Sequence, residues 1–542
     1  MSTSEETPLA DQDQKLSSLR INIIVCGLWI SLFLAALDST IISTALFSIS
    51  HSLHGSSESG WVITSYLLTY NAFVLILAKL SDIVGLKHLI LLSNAIFLVF
   101  SIACSVSQSM QQLIVFRAFQ GIGASGLYCL VFIAILQLIS LEKSGFYSGI
   151  ISSVFALSNL LGPLSGGLIV DHTTWRWIFY LNIPLSAISI LILGFAMPAP
   201  RDSQGSEKRM ANFDIPGAIL SVCWLVPLLF ALEEGGSQYS WHSSVIIGTL
   251  TGGIVALITF LVYEAWLHRK HAAREPIFPI VFLRDSLQAL LLLNIFLAGF
   301  AFYTAIIILP QRFQAVNGLS AARAGVLLLA MTLCLPLFSL IAGFVLGKRP
   351  QWTMFVLGLG NIFILAATAC LSCLSINPSV SDAQYGFQVI MGAGLGITST
   401  AQYFALKIIF HPRDTVLTQK PSNQAAATGS MNMLRALGGC VGLAINTAML
   451  SARLSAELPS SLTAEEVMQD RASWDQPGSG LSTTDQDFIR RIYGRGYNSG
   501  FAVMIAFAGA NVLVAGLLVV VNKRRGGIEK LLAEAQSHQI AQ

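Results

Sequence analysis

From Ile21 nearly to Val521 the chain is a succession of apolar runs, each about twenty residues long, parted mostly by short polar gaps. A helix rising 1.5 Å per residue needs roughly 20 residues to cross a hydrocarbon layer about 30 Å thick. Lipid offers the backbone no hydrogen-bond partner, so a run of that length has to satisfy its own amides as a helix. Fourteen runs can be drawn, at 22–47, 60–80, 88–107, 111–138, 145–170, 177–197, 214–232, 243–264, 287–309, 321–346, 352–374, 384–407, 423–450 and 499–521. The expected fold class is all-α integral membrane.

Composition closes off the other classes. The 542 residues are 54% apolar and 11% charged, whereas soluble domains carry about a quarter charged residues. That excludes an ordinary cytosolic enzyme. An intramembrane enzyme would need a nucleophile with its base, or clustered His and carboxylates, and the His residues lie in or beside the gaps. A net charge of +3, spread along the chain, offers no basic surface, so nucleic acid is not expected as a partner. The eight cysteines all fall in apolar stretches, where free thiols behave as small hydrophobes. Cys370 and Cys373 have no second pair or nearby His to make a metal site; they are expected to be buried free thiols, and no metal is expected.

Lys and Arg collect on the cytosolic side of membrane proteins. With the amino terminus inside, most of the 31 basic residues fall in the inner gaps, and those placed outside lie largely in the long 451–498 loop, which counts little in this rule. Both termini are therefore expected in the cytosol. Glu5, Glu6, Asp11 and Asp13 precede the first apolar run, the wrong charge order for a cleaved signal, and 1–20 reads as a disordered cytosolic tail.

An internal repeat is visible. Ala78-Lys-Leu-Ser-Asp is echoed at Gly343, Gly121-Ile-Gly at Gly392-Ala-Gly, and Gly162-Pro-Leu-Ser-Gly at Gly438-Gly-Cys-Val-Gly. The nearly constant offset pairs helices 1 to 6 with 9 to 14, and repeats of this kind are the usual plan of secondary transporters. The division that follows is a six-helix bundle at 21–197, two inserted helices with their flanking loops at 198–285, a second six-helix bundle with a long outer loop (451–498) at 286–521, and a cytosolic tail at 522–542.

Asp38 is the carboxylate set deepest in an apolar run; Asp82, Asp171, Glu233, Glu234 and Glu264 fall near the expected ends. Charge at membrane depth is costly and marks ion or substrate pathways, which makes Asp38 a candidate proton carrier. Arg117 and Arg435 are the cations inside runs, and Arg117 could hold Asp38 ionised until a proton or substrate intervenes; a permanent buried ion pair is the structural alternative. Gly162, Gly166 and Gly167 lie in a run of small residues that lets backbones approach, and Pro163 among them permits a bend. Polar and aromatic residues on apolar runs are the candidates for a substrate cavity: Tyr66, Tyr70, Asn71, Asn159, Asn294, Tyr303, Gln402, Tyr403, Asn432 and Arg435.

Several of these segments carry a resemblance. Leu37-Asp-Ser-Thr-Ile-Ile-Ser-Thr-Ala-Leu46, the Ala78 to His88 loop, Arg117-Ala-Phe-Gln-Gly-Ile-Gly, Gly162-Pro-Leu-Ser-Gly-Gly, Phe213-Asp-Ile-Pro-Gly, Leu309-Pro-Gln-Arg-Phe-Gln and Leu434-Arg-Ala-Leu-Gly-Gly resemble, in order, the landmarks of the fourteen-helix drug:proton antiporters of the major facilitator superfamily, especially the fungal multidrug and toxin efflux pumps. The resemblance implies a proton-coupled exporter of small amphiphilic organic molecules working by alternating access. It implies no cofactor, the proton gradient supplying the energy, and as partners a small-molecule substrate, protons and the lipid bilayer around a single copy of the chain. It places Asp82, Gly85 and Lys87 in a cytoplasmic conformational lock, gives Arg117 a part in proton transfer and gives the Gly162 to Gly167 run the exporter bend. Ala78, Ile83, Leu86 and Phe47 depart from the family pattern. Plasma membrane is the expected residence, with the vacuolar membrane as the alternative. An importer or vacuolar carrier of a small solute such as a basic amino acid or siderophore, and a non-transporting receptor on the same fold, are the competing readings.

Overall fold

The protein is described here from a computed structural model, in which residues 17–54, 58–139, 141–198, 213–236, 239–270, 274, 276–410, 424–457 and 483–528 are placed. Fourteen helices among them are long and apolar enough to cross a membrane. They are α1 (Ser18–Ser52), α2 (Trp61–Val84), α3 (Leu86–Ser105), α4 (Met110–Leu138) and α5 (Leu141–His172), followed by α6 (Trp177–Ala196). Then come α7 (Ile215–Glu234), α8 (Ser244–Arg269) and α9 (Ser286–Asn317), and α10 (Arg323–Lys348). The last four are α11 (Thr353–Ser372), α12 (Ala383–Ile409), α13 (Gln424–Glu457) and α14 (Thr483–Arg524).

Local chemistry sets many of the ends. Ser17, Ser109, Asp214, Ser243 and Asp285 cap α1, α4, α7, α8 and α9 by accepting from first-turn backbone N–H groups that have no partner inside the helix. Gly85 turns the chain between α2 and α3 at φ 94°, a conformation open to glycine at little cost. Several boundaries differ from the sequence expectation, among them these. α1 begins at Ser18, inside the expected tail, whose residues 1–16 lie outside the described ones, as do 529–542 of the other tail. α9 continues through Pro310 to Asn317, which takes Arg312 from a loop into a helix. The expected loop 451–498 is helical at both ends, since α13 runs to Glu457 and α14 starts at Thr483; 458–482 lie outside the described residues.

The helix pairs repeat. α1 packs on α5, α2 and α3 on α4, and α1 and α3 on α6; in the same way α9 packs on α13, α10 and α11 on α12, and α9 and α11 on α14. The glycines echoed in the sequence sit at matching contacts. A Cβ on Gly121 of α4 would strike Tyr66 of α2, and one on Gly392 of α12 would strike Met331 of α10. Gly162 of α5 is closed on Thr40 of α1, and Gly438 of α13 on Phe296 of α9. Without a hydrophobic drive between helices in lipid, such backbone approach supplies the packing that holds a bundle together. The two groups meet along α5 with α10 and α2 with α13, and the hairpin α7–α8 lies against α2 and α13 through α7. Large apolar side chains such as Phe195, Val262, Phe344 and Phe355 face outward, as a lipid-facing belt requires. Cys26, Cys223 and Cys373 are also exposed and Cys370 half-buried, so the thiols are free as expected but not all buried.

Candidate functional site

Asp38 lies on α1 with no solvent exposure, and Arg117 on α4 is 1% exposed. The two form an ion pair through Arg117 Nη1 and Asp38 Oδ2. The other carboxylate oxygen accepts from Gln120 Nε2 at 3.1 Å and from Asn182 Nδ2 at 3.0 Å. Arg117 also donates to Gln120 Oε1 at 2.8 Å and, through Nε, to the Val62 carbonyl at 3.1 Å, and its guanidinium stands 4.1 Å from the centre of the Tyr66 ring. Ser101 of α3 closes the shell by accepting from Gln120 at 2.9 Å. Five helices, α1, α2, α3, α4 and α6, thus converge on one charge pair. A buried charge is tolerable when it is paired and its remaining hydrogen-bonding capacity is filled, and both conditions hold here.

Sequence reading named Asp38, Arg117 and Tyr66 but missed Gln120, Asn182 and Ser101. A signal existed for Gln120, which stands three residues after Arg117 and so on the same helix face. Asn182, 144 residues from Asp38, carried none.

The second group has a neutral counterpart. Gln402 of α12 donates to Asn294 of α9 at 3.0 Å, Asn294 donates to Asn511 of α14 at 2.6 Å, and Asn511 donates to Asn361 of α11 at 3.3 Å. Asn294 and Gln402, cavity candidates by sequence, are both fully buried, and they join helices of one bundle. Gln402 extends the chain to the boundary between bundles by accepting from Arg435 Nη2 at 2.9 Å.

At that boundary the aromatic candidates meet. Phe132 of α4 stacks on Tyr403 of α12 with ring centres 4.7 Å apart, Tyr70 stands edge-on to Tyr128 at 4.8 Å, and Phe155 of α5 meets Phe302 of α9 at 6.3 Å. Arg435 lies over the Tyr403 ring at 5.6 Å, Tyr303 packs on Gly439, and Asn432 lies one turn from Arg435 on α13. Asn71 instead turns back to the Leu67 carbonyl of its own helix at 2.9 Å, and Asn159 is half-buried on α5.

Of the glycine run, Gly162 and Gly166 are buried, Gly162 against Thr40, while a Cβ on Gly167 would meet nothing; α5 stays helical through Pro163. At the other end, Asp82 is half-buried beside the Gly85 turn. Lys87 donates to the Met197 carbonyl at 2.8 Å, a contact within the first bundle. A hydrogen bond that does cross between bundles is made by Lys407 of α12, which donates to the Ile139 carbonyl after α4 at 2.7 Å.

Position near a helix end does not keep the other carboxylates in water. Glu234 is 4% exposed and accepts from Thr64 of α2 at 2.8 Å. Glu264 has no exposure and accepts from the Phe278 backbone at 3.1 Å, and Glu233 meets Cys440 of α13 at 3.7 Å. The cations exceed the expected pair as well, since Arg312 is 1% and Lys79 3% exposed.

The sequence model described as "Major Facilitator Superfamily" matches residues 28–443. The chain is 40% identical over 92% of its length to "MFS-type transporter FPY5" of Fusarium mangiferae, of which it covers 84%. It is 33% identical over 78% of its length to "Multidrug resistance protein 3" of Bacillus subtilis, covering 78% of it, and 29% identical over 84% to "Efflux pump FUS6" of Gibberella moniliformis, covering 79%. Among solved structures, that of the human organic anion transporter MFSD10 (TETRAN) superimposes with a TM-score of 0.53 at 13% identity, over 90% of this chain and 99% of that one, a likeness of fold alone. With fourteen apolar helices, a two-bundle repeat and a family match across most of its length, this chain belongs to the major facilitator superfamily of membrane transporters.

Proposed function

We propose that the protein is a proton-coupled exporter of small amphiphilic organic molecules, working by alternating access of its two bundles. The observation that carries this reading is the Asp38 site. Its carboxylate is fully buried, and Arg117 is its ion-pair partner among the described residues. The rest of its shell is made of neutral amides that can stay in place when the carboxylate takes a proton.

A proton arriving on Asp38 Oδ2 removes the negative charge facing Arg117. Gln120 and Asn182 still have the carbonyl oxygen to donate to, and Arg117 keeps Gln120, Val62 and the face of Tyr66. The two protonation states therefore differ mainly in the pull between α1 and α4, the kind of differential contact that lets one proton bias a two-state equilibrium. The boundary residues Tyr70, Tyr303, Tyr403, Asn432 and Arg435 receive the substrate. Asp82, Gly85 and Lys87, with Lys407 closing on Ile139, form the lock of the cytosolic side, and the termini lie in the cytosol. Export is favoured over import because relatives bear efflux and multidrug names. The plasma membrane is the proposed residence, with a single copy as the working unit.

The test is transport of a panel of hydrophobic toxins into inside-out vesicles with and without an inward-acid pH gradient. Uptake that follows the gradient and needs Asp38 supports the reading; gradient-independent movement of every compound rejects proton coupling.

A further inference from the structure

The two arginines at the centre of the molecule are treated differently. Arg117 has Asp38. Arg435 is partly buried where the bundles meet, yet among the described residues no carboxylate pairs with it. The neighbouring acid, Glu233, contacts Cys440 further along α13. Gln402 takes one Arg435 N–H at 2.9 Å, and Gln402 is itself held by Asn294 at 3.0 Å, so the amide chain orients the guanidinium without neutralising it.

A guanidinium carries five N–H donors in a planar fork suited to two oxygens at once. A second donor stands on the same face of α13: Asn432 Nδ2 is buried, and its polar partner among the described residues is the Cys129 thiol, a weak acceptor that a carboxylate oxygen would replace. The flanking surface is aromatic, with Phe132 and Tyr403 stacked at 4.7 Å and Arg435 over the latter ring at 5.6 Å. A cation without a counter-charge among the described residues and an amide donor met only by a thiol, in a low-dielectric setting beside aromatic rings, select for an anion with an apolar body.

We propose that Arg435 and Asn432 form an anion-binding site between the bundles, and that the transported class is organic acids with a carboxylate on an aromatic or apolar frame. This rests on the exporter reading and narrows its substrate. The carboxylate lies across the Arg435 fork with Asn432 donating to one oxygen, and the frame inserts beside Tyr403 and Phe132 where the bundles separate. Gln402 and Asn294 are positioning residues that act through Arg435.

The test compares two probes of one shape, anthracene-9-carboxylate and its carboxamide, binding to the full-length protein in phosphatidylcholine nanodiscs with empty discs subtracted. The carboxylate should bind at least tenfold tighter than the amide. Arg435→Gln, which keeps planar donors but loses the charge, should reduce that preference below twofold, and Arg435→Lys should retain part of it. Asn432→Ala should weaken carboxylate binding several-fold. In case a variant fails to fold, phenylglyoxal modification of Arg435 in the unaltered protein gives a second measurement: the carboxylate should slow it and the amide should not. Equal binding of both probes, a preference that survives Arg435→Gln, or modification indifferent to the carboxylate would each overturn the site. Because binding needs no gradient, an intact carboxylate preference without proton-driven efflux would reject the exporter reading and leave the site standing. Efflux without the preference would do the reverse.

Discussion

Replacing Asp38 by Asn separates the structural from the coupling role of the buried pair. The asparagine keeps the shape, and its carbonyl oxygen can still accept from Gln120 and Asn182, which now reach Oδ1 at 3.1 and 3.0 Å. Its amide nitrogen then replaces the oxygen facing Arg117, setting donor against donor and leaving a guanidinium that is 1% exposed without a counter-charge. Removing one partner of a buried pair costs about 3–5 kcal/mol, and the neutral acceptors that remain for Arg117 place the expected loss at the lower end, about 3 kcal/mol. The single variant should therefore melt earlier, as read by intrinsic fluorescence of the purified protein. The double variant Asp38→Asn with Arg117→Gln should recover much of that loss, since no buried charge is left. In proteoliposomes both should lose efflux driven by a pH gradient, while substrate binding or gradient-free exchange partly survives, because those steps need the cavity and not the proton. Uphill efflux at the unaltered rate and with unchanged pH dependence in Asp38→Asn would refute the coupling argument. Unchanged melting would refute the electrostatic one.

Gly162→Leu should cut transport while the protein still reaches its membrane, because even a Cβ there overlaps Thr40 and separates α5 from α1; full activity would make the glycine incidental. Lys407→Met removes the hydrogen bond that ties α12 to the Ile139 carbonyl. It should increase thiol labelling of a cysteine placed at Ala78, where α2 meets Gly429 of α13, and no change would mean that the contact does not hold the bundles together. A cysteine near Gln476 should be labelled from outside intact cells and one near Gln204 protected, as the distribution of Lys and Arg requires; the reverse pattern would invert the orientation. Burial raises the Asp285 carboxyl, but Arg525 at 2.7 Å and the backbone N–H groups of Gln288 and Leu287 outweigh it and hold the group below its ordinary value. That contribution is present above the ordinary aspartate range and is lost as pH falls through the depressed value. Asp285→Ala should therefore cost about 1 kcal/mol near neutrality, mostly the helix cap, and less at strongly acid pH, where the attraction to Arg525 is gone while the neutral carboxyl still caps; an equal cost at both would show that the carboxylate charge is irrelevant.

The sequence alone determined the number of crossings and their approximate places, because in lipid a chain of this length and polarity has to form self-satisfied helices. It also exposed the repeat, since glycines can be read directly, and the close helix contacts that need them recur at matching places: Gly121 with Gly392, and Gly162 with Gly438. Asp38 and Arg117 were visible because charge inside an apolar run is rare. Their shell was not. Asn182 and Ser101 look in the sequence like other small polar residues of membrane helices, and only the packing of α1, α3, α4 and α6 brings them to one carboxylate. Nor could the sequence rank the cavity candidates. Asn294 and Asn432 are the same residue in similar surroundings, yet one is held by Gln402 and Asn511 within a bundle while the other meets only the Cys129 thiol at the boundary. Whether a buried charge has a counter-charge was likewise settled by tertiary structure, which gave Asp38 to Arg117 and, among the described residues, no acid to Arg435, because pairing depends on distances between helices that lie far apart along the chain.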